Sequence, residues 1–282
     1  MDMRAVREEF VRLDGCRLRY LAGGAGPPMV LVHGLLGYSF CFRHNLPVLA
    51  QSATVYAIDL PGTGFSERPA VINGDLRALA EVLLKFVRQL DLERPVLLGS
   101  SHGGAVVLMA AGMAAQQNVT LGPMILAAPV NPWSRHGRRW VKIAGSTAGS
   151  AMLRVIAPFL PPLHGYFLRR MYGDPSRLTS EAIEGYSGAI REQGTMDHLI
   201  GRIAHWNEDL QLLEQALPGC SDVPTLLIWG DRDRAVNPAS ATELLRRLPK
   251  AELAIIRGTG HLPFEEESEQ FNQLVLNFLA RQ

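Results

Sequence analysis

Gly99-Ser100-Ser101-His102-Gly103 sets a serine two residues from a glycine on either side, the G-x-S-x-G spacing. A serine so flanked can be turned out of a sharp strand-to-helix reversal, because a Cβ at the glycine positions would collide with neighbouring atoms. Its Oγ then projects from a strand tip at a helix N-terminus, where unpaired N–H groups and the helix dipole favour negative charge. The chemistry this suits is nucleophilic attack, with Ser101 as nucleophile. A serine hydroxyl attacks poorly until a base takes its proton, so a histidine must reach it. Of eight histidines, His261 is the candidate. It stands in Gly258-Thr259-Gly260-His261-Leu262-Pro263-Phe264, a loop after the last strand and free to reach the same sheet edge. His33 and His102 also lie near strand tips. The base in turn needs an acceptor that holds its tautomer and stabilises the imidazolium. Gly230-Asp231-Arg232-Asp233-Arg234 directly follows a strand and supplies Asp233, with Asp231 as the alternative acid.

Those three loops need a scaffold that brings them to one edge. Phe10 to Leu13 and Cys16 to Tyr20, joined by Asp14-Gly15, read as a β-hairpin, since Asp-Gly suits the positive φ of a tight primed turn. Short apolar runs bounded by breakers follow at Met29 to Val32, Thr54 to Ile58, Pro95 to Gly99, Met124 to Ala128, Thr225 to Trp229 and Ala251 to Ile256. Between them, Asp75 to Leu90 carries Leu76, Leu79, Val82, Leu83, Phe86, Val87 and Leu90 at helical offsets. Ala105 to Ala115 is apolar on nearly every face, the mark of a helix in the core. Further helices are expected from Ala239 to Leu248 and from Ser268 to Ala280. Continuously apolar strands alternating with helices predict an α/β fold, a mostly parallel eight-stranded sheet covered on both faces. Between Pro132 and Pro218 no strand is evident, only helix-like pieces broken by Pro158, Pro161, Pro162 and Pro175. That block is too long for an ordinary connection. The expected division is a core of residues 1–131 and 219–282 with a helical cap, or lid, of residues 132–218 over the strand ends.

Composition excludes several other classes. The 282 residues are 47% hydrophobic and 20% charged with a net charge of +1, so neither a disordered chain nor an electrostatic footprint for nucleic acid is present. Cys16, Cys41 and Cys220 are too few and too scattered for a disulfide framework or a zinc ribbon, and free thiols are expected. The first nine residues are charged and lack the apolar stretch of a signal peptide. No apolar run approaches the roughly 18–20 residues of a membrane span, so a cytoplasmic location is the expectation. Gly62-x-Gly64 is preceded by Pro61 and has Glu67 where the dinucleotide fingerprint needs a third glycine, and no phosphate-binding P-loop occurs. His198 and His205 share a helical face but have no carboxylate at ligand spacing, so no metal site is expected, and no cofactor. His44, His136 and His164 read as surface or core residues.

Taken together, His33-Gly34, Asp59-Leu60-Pro61-Gly62-Thr63-Gly64-Phe65-Ser66, the Ser101 turn, Gly230-x-x-Asp233 and Gly260-His261-x-Pro263 resemble, in order and spacing, the α/β-hydrolase superfamily. The likeness covers nearly the whole chain and is to the single-chain, serine-nucleophile members with a helical cap. It implies an oxyanion hole made by the backbone N–H groups of Leu35 and His102, and a structural role for the Asp59-to-Ser66 segment. At the end of the strand where some relatives place their acid, this chain has Asn131.

Departures from subfamily patterns narrow the chemistry. Haloalkane dehalogenases and epoxide hydrolases resemble this chain but carry Asp where Ser101 stands. Ring-cleavage C–C hydrolases usually follow the catalytic histidine with Trp, whereas Leu262 follows here, and Arg135, Arg138 and Arg139 give ambiguous support. Proline iminopeptidases have His-Gly-Gly-Pro-Gly in place of His33-Gly34-Leu35-Leu36-Gly37. The resemblance therefore implies a carboxylesterase-like enzyme cleaving small to medium apolar esters through an acyl-enzyme on Ser101. C–C hydrolase, acyltransferase and perhydrolase chemistry with the same triad are the alternatives, with a slow-turnover ligand-binding receptor behind them. The expected partner is a small ester-like molecule, a homodimer being compatible with such a chain. Because the base must be neutral to act, activity should fall as pH drops through the range in which histidines protonate.

Overall fold

The computed structural model describes residues 6–69, 74–134, 141, 143–156 and 164–282. Eight strands form one sheet: β1 (Arg7–Leu13), β2 (Cys16–Gly23), β3 (Pro28–Val32), β4 (Thr54–Ile58), β5 (Val96–Ser100), β6 (Met124–Ala127), β7 (Thr225–Gly230) and β8 (Ala251–Ile256). Ten α-helices accompany them among the described residues: α1 (Leu46–Leu49), α2 (Leu76–Gln89), α3 (His102–Ala114), α4 (Thr147–Ile156), α5 (His164–Met171), α6 (Ser180–Ile190), α7 (Thr195–Ala216), α8 (Ala241–Arg247), α9 (Pro263–Glu266) and α10 (Ser268–Leu279).

The strand order is β1-β2-β4-β3-β5-β6-β7-β8. The β1–β2 hairpin pairs Leu13 with Cys16 across Asp14 and Gly15, both at positive φ (49° and 82°), as the Asp-Gly signal requires. β2 also runs antiparallel to β4, and every later pairing is parallel. The expectation of a mostly parallel eight-stranded sheet is met.

Alternation along the strands decides which side each residue serves. Val30, Val32, Leu97, Met124, Leu126, Leu227 and Trp229 pack with α2, α3 and α8 in one apolar layer. Met29, Leu31, Leu98, Ile125, Ala127, Leu226 and Ile228 pack with α1 and α10 in the other. A slip of one residue in any central strand would exchange the two sets, so the register is strongly specified. Helix α2 starts where Asp75 caps it, its carboxylate accepting from the Ala78 N–H at 2.7 Å. Helix α3 begins at His102, three residues before the apolar run at Ala105. Gly103 and Gly104 carry no periodic signal, so its start was hidden from hydropathy.

Between β6 and β7 the described residues hold α4 to α7 and no strand. Helix α7 is joined to the sheet domain by polar contacts: Asp209 accepts from the Leu76 N–H at 3.1 Å, and Arg202 donates to the Pro61 carbonyl. Helix α6 receives the Tyr38 hydroxyl on its Gly185 carbonyl at 2.9 Å. No helix among the described residues is long and apolar enough to cross a membrane. The expected positions of Arg135, Arg138, Arg139, His136, Pro158, Pro161 and Pro162 lie outside the described residues.

Candidate active site

Ser101 sits at the single-residue turn between β5 and α3 with φ 53° and ψ −118°, a left-handed conformation unusual for a residue with a side chain. Backbone bonds hold it there: its N–H donates to Ala127 (2.9 Å), and its carbonyl accepts from Ala105 (3.2 Å) and Val130 (2.9 Å). The flanking glycines are needed for space. A Cβ on Gly99 would lie 2.5 Å from the Gly103 carbonyl oxygen, and one on Gly103 would lie 2.3 Å from the carbonyl oxygens of Val32 and His33. A strained backbone of this kind is maintained only when its surroundings over-determine it.

His261 reaches this serine. Its Nε2 is 2.8 Å from Ser101 Oγ, and its Nδ1 is 2.8 Å from Asp233 Oδ2. Both the imidazole and the carboxylate are almost fully buried. Asp233 is itself fixed: its second oxygen accepts from the N–H groups of Ala235 (2.7 Å) and Val236 (3.0 Å). The loop is anchored by fully buried Trp229, whose indole N–H donates to the Val236 carbonyl at 3.0 Å. Asp231 is exposed and accepts from the Gly258 N–H at 2.7 Å, so it braces the histidine loop from outside. The sequence offered two acids; the geometry brings only Asp233 to His261. Asn131 is taken up in its own turn, accepting from Trp133 and Ser134 and donating to Ser240.

Two backbone donors stand beside the serine. The Leu35 and His102 N–H groups have no acceptor among the described residues, the first in a turn closed by Gly37 donating to Gly34, the second at the start of α3. Gly34 packs so closely that a Cβ there would be 3.2 Å from Ser101 Cβ, which places the Gly34–Gly37 turn against Ser101.

The two other histidines near strand tips have different work. His33 is fully buried, with Nδ1 2.7 Å from the Gly34 carbonyl and Nε2 accepting from the Leu60 N–H at 3.0 Å, which ties the Leu35 turn to the Asp59 segment. Burial pushes its pKa down to about 4. Burial, helped by the Arg202 charge and by His33, pushes His102 down to about 3. Both rings are therefore neutral at physiological pH. Asp59 accepts from the Ser39 N–H (2.7 Å), the Phe65 N–H (3.0 Å) and Arg19 (3.0 Å), which agrees with a structural role for its segment. His198 packs on Gly62. Among the described residues no group of three metal-binding side chains forms.

A cavity of about 350 Å³ opens over Ser101 and His261, walled mainly by apolar side chains including Val130, Phe167, Leu168, Met171, Trp206 and Leu262. That is within the usual size of small-molecule sites. Helix α5 contributes His164, Phe167, Leu168 and Met171 to the wall and α7 contributes Trp206, from stretches that carry only a diffuse apolar content. Trp206 stacks on His102 with ring centroids 5.7 Å apart and planes 26° from parallel.

Sequence reading passed over two residues that hold the histidine loop. Glu266 accepts from the N–H groups of Gly260 (2.7 Å), Gly173 (2.8 Å) and Asp174 (3.3 Å), and the His261 N–H donates to the Met171 carbonyl at 2.7 Å. Glu265 pairs with Arg43 at 2.5 Å and accepts the Tyr186 hydroxyl at 2.6 Å. The run Glu265-Glu266-Glu267 carries no pattern that marks a buried acceptor. Its setting directly after the histidine loop was the available signal.

Cys16, Cys41 and Cys220 are buried free thiols. Burial pushes Cys16 up to about 11 and Cys220 up to about 12, so neither is a thiolate at neutral pH.

Comparison with known proteins agrees with this architecture. A family model described as alpha/beta hydrolase fold matches residues 27–268. The dihydrolipoyllysine-residue acetyltransferase component of the acetoin cleaving system of Pseudomonas putida is 33% identical over 261 residues, which are 93% of this chain; the chain spans 65% of that protein's length. An uncharacterized hydrolase, YugF, of Bacillus subtilis is 27% identical over 263 residues, covering 89% of each chain. Among solved structures, Cfl2 from Burkholderia cenocepacia superposes with a TM-score of 0.86 at 22% identity, over 97% of this chain and 96% of that one. That last likeness is one of fold.

Proposed function

This chain belongs to the alpha/beta hydrolase fold family, and on that premise we propose that it is a serine hydrolase of carboxylic esters. Ser101 is the nucleophile, His261 the general base and Asp233 the acid that orients it. The observation that carries the reading is the unbroken relay of 2.8 Å contacts from Asp233 through His261 to Ser101 Oγ.

Each step follows from an atom already located. With its Nδ1–H held by Asp233, His261 offers an unprotonated Nε2 to the serine, takes its proton as Oγ attacks the ester carbonyl, and carries the positive charge beside the carboxylate. The tetrahedral oxyanion is received by the N–H groups of Leu35 and His102. Loss of one such donor typically costs about 100–1,000-fold in rate. His261 then hands its proton to the departing alcohol, leaving an acyl-enzyme on Ser101. Water, activated by the same imidazole, releases the acid. The neutral His102 ring adds no second base, because burial keeps its pKa far below the working range.

The substrate we assign is a small to medium ester with an apolar body, from the walls and volume of the cavity. Residues 132–218 act in this reading as a helical cap over a core of residues 1–131 and 219–282. Turnover of p-nitrophenyl butyrate and labelling by a fluorophosphonate test the reading, with Ser101→Ala losing both. Labelling that persists in that variant, or an inert wild type, would overturn it.

A further inference from the structure

Arg202, on α7, is 1% exposed and donates through Nη2 to the Pro61 carbonyl. Its Nε and Nη1 are buried with no acceptor among the described residues. No carboxylate supports it among the described residues; burial alone governs its protonation and lowers it to about 10, so the guanidinium stays charged at neutral pH. A buried charge left without a counter-charge costs several kcal/mol. Among the described residues the fold thus maintains a positive group at a place supplied with no negative one.

Its position gives that charge a use. Arg202 walls a narrow void of about 10 Å³, together with Thr63, Thr195 and the turn Leu35-Leu36-Gly37. Such a space accepts one water-sized group. The same turn walls the larger cavity that holds Ser101 and His261, so Leu35, Leu36 and Gly37 form a common wall between the two spaces. A second guanidinium stands behind the void: Arg68 donates to Thr195 Oγ1 (2.8 and 3.0 Å) and to the Gly64 carbonyl (2.7 Å), both part of its wall. Glu192 and Asp59 bear on Arg68 only as charges at a distance. Asp59 is already committed to Arg19 and to two backbone N–H groups.

We propose that Arg202 is an anion subsite for the substrate, receiving a carboxylate carried on the ester's acyl or alcohol part. One carboxylate oxygen enters the void, where the unused guanidinium N–H groups of Arg202 are the available donors, the Thr63 and Thr195 hydroxyls already donating to the Leu60 (2.6 Å) and Ala189 (3.2 Å) carbonyls. The remainder of the molecule crosses the Leu35 turn so that its ester carbonyl meets Ser101. A tetrahedral phosphate is too large for a space that admits a single oxygen. The inference rests on the serine-hydrolase reading and adds a substrate class to it: monoesters that retain one free carboxylate.

Two matched pairs of substrates test it. On the acyl side, mono-p-nitrophenyl adipate and suberate are compared with their methyl esters. On the alcohol side, 4-(butyryloxy)benzoate is compared with its methyl ester. The wild type is expected to favour the anionic member of at least one pair by tenfold or more in kcat/KM. Arg202→Gln should lower kcat/KM for that anionic ester at least tenfold more than for its neutral twin, chiefly through KM. Ratios within threefold in both pairs, with the neutral esters hydrolysed, would overturn the subsite while leaving the serine hydrolase standing. So would a preference that survives Arg202→Gln. If that variant fails to fold, the wild-type ratios decide alone. Failure to hydrolyse any of these esters would overturn the serine-hydrolase reading and the subsite with it.

Discussion

Replacing Asp233 by Asn tests the relay at its least exposed point. Asn Oδ1 can keep the N–H groups of Ala235 and Val236, so the loop retains its shape. The amide NH₂ then stands where Oδ2 now lies, 2.8 Å from His261 Nδ1. Two donors cannot share that contact, so the imidazole must present a bare Nδ1 and carry its proton on Nε2. At 2.8 Å from Ser101 Oγ, that proton makes the base a donor, and the serine loses its acceptor. The same substitution in a Ser-His-Asp triad of another protein lowers kcat by about 10⁴, equivalent to ~5.5 kcal/mol of transition-state stabilisation. We expect a fall of that order in kcat for p-nitrophenyl butyrate, with Tm moved little. Asp231→Asn, on the exposed side of the loop, should stay within about threefold of wild type, since surface changes away from special features are usually within about 0.5 kcal/mol. Asp233→Asn retaining a tenth of the activity, or Asp231→Asn proving the more damaging change, would refute the assignment of the acid.

Two further outcomes concern groups that steady the site. Burial pushes the Asp209 carboxyl up to about 6, with Oδ2 lacking a hydrogen-bond partner among the described residues. A folded-state value above the unfolded one of about 4 means that its contribution is fully present below pH 4 and is lost as pH rises through about 6. Asp209→Asn, which keeps an acceptor for the Leu76 N–H, should therefore match wild type near pH 4 and exceed it in Tm by about 2 °C at pH 8, from ~1 kcal/mol; a difference independent of pH in thermal melts would contradict this. Glu266→Ala strips the acceptor from three backbone N–H groups around the His261 loop. We expect a loss of about 2 kcal/mol in stability and a kcat about tenfold lower with KM changed less, checked by denaturant unfolding and steady-state kinetics; unchanged kcat would show that the loop holds without it.

Much of this arrangement was legible in the residues. Strands β3 to β8 announced themselves as short apolar runs because both faces of a central parallel strand are buried, leaving no polar interruption. The Ser101 turn was legible because it is sterically exacting, so glycines mark it. His261 and Asp233 could be placed because a strand's carboxyl end fixes where the following loop emerges. Choosing Asp233 over Asp231 needed the direction of each side chain, a matter of loop backbone that hydropathy does not carry. The contribution of α7 was hidden for another reason. Arg202, Trp206 and Asp209 are types that commonly face solvent, and their inward orientation comes from docking against Pro61, His102 and Leu76. Glu266 was passed over likewise, since a carboxylate that gathers backbone N–H groups from two segments has no sequence period.

The bond from the His261 N–H to the Met171 carbonyl, with Glu266 bridging Gly260 and Gly173, ties the imidazole's loop to the ceiling of the cavity. Occupancy and competence are therefore interlocked. A guest bulky enough to push the Met171 carbonyl aside would fill the chamber and, in the same movement, unseat the proton carrier, so such compounds should act as inhibitors and not as slow substrates. Selectivity of that kind needs no clash with the reacting atoms. Under the proposed function it acts through the seating of His261.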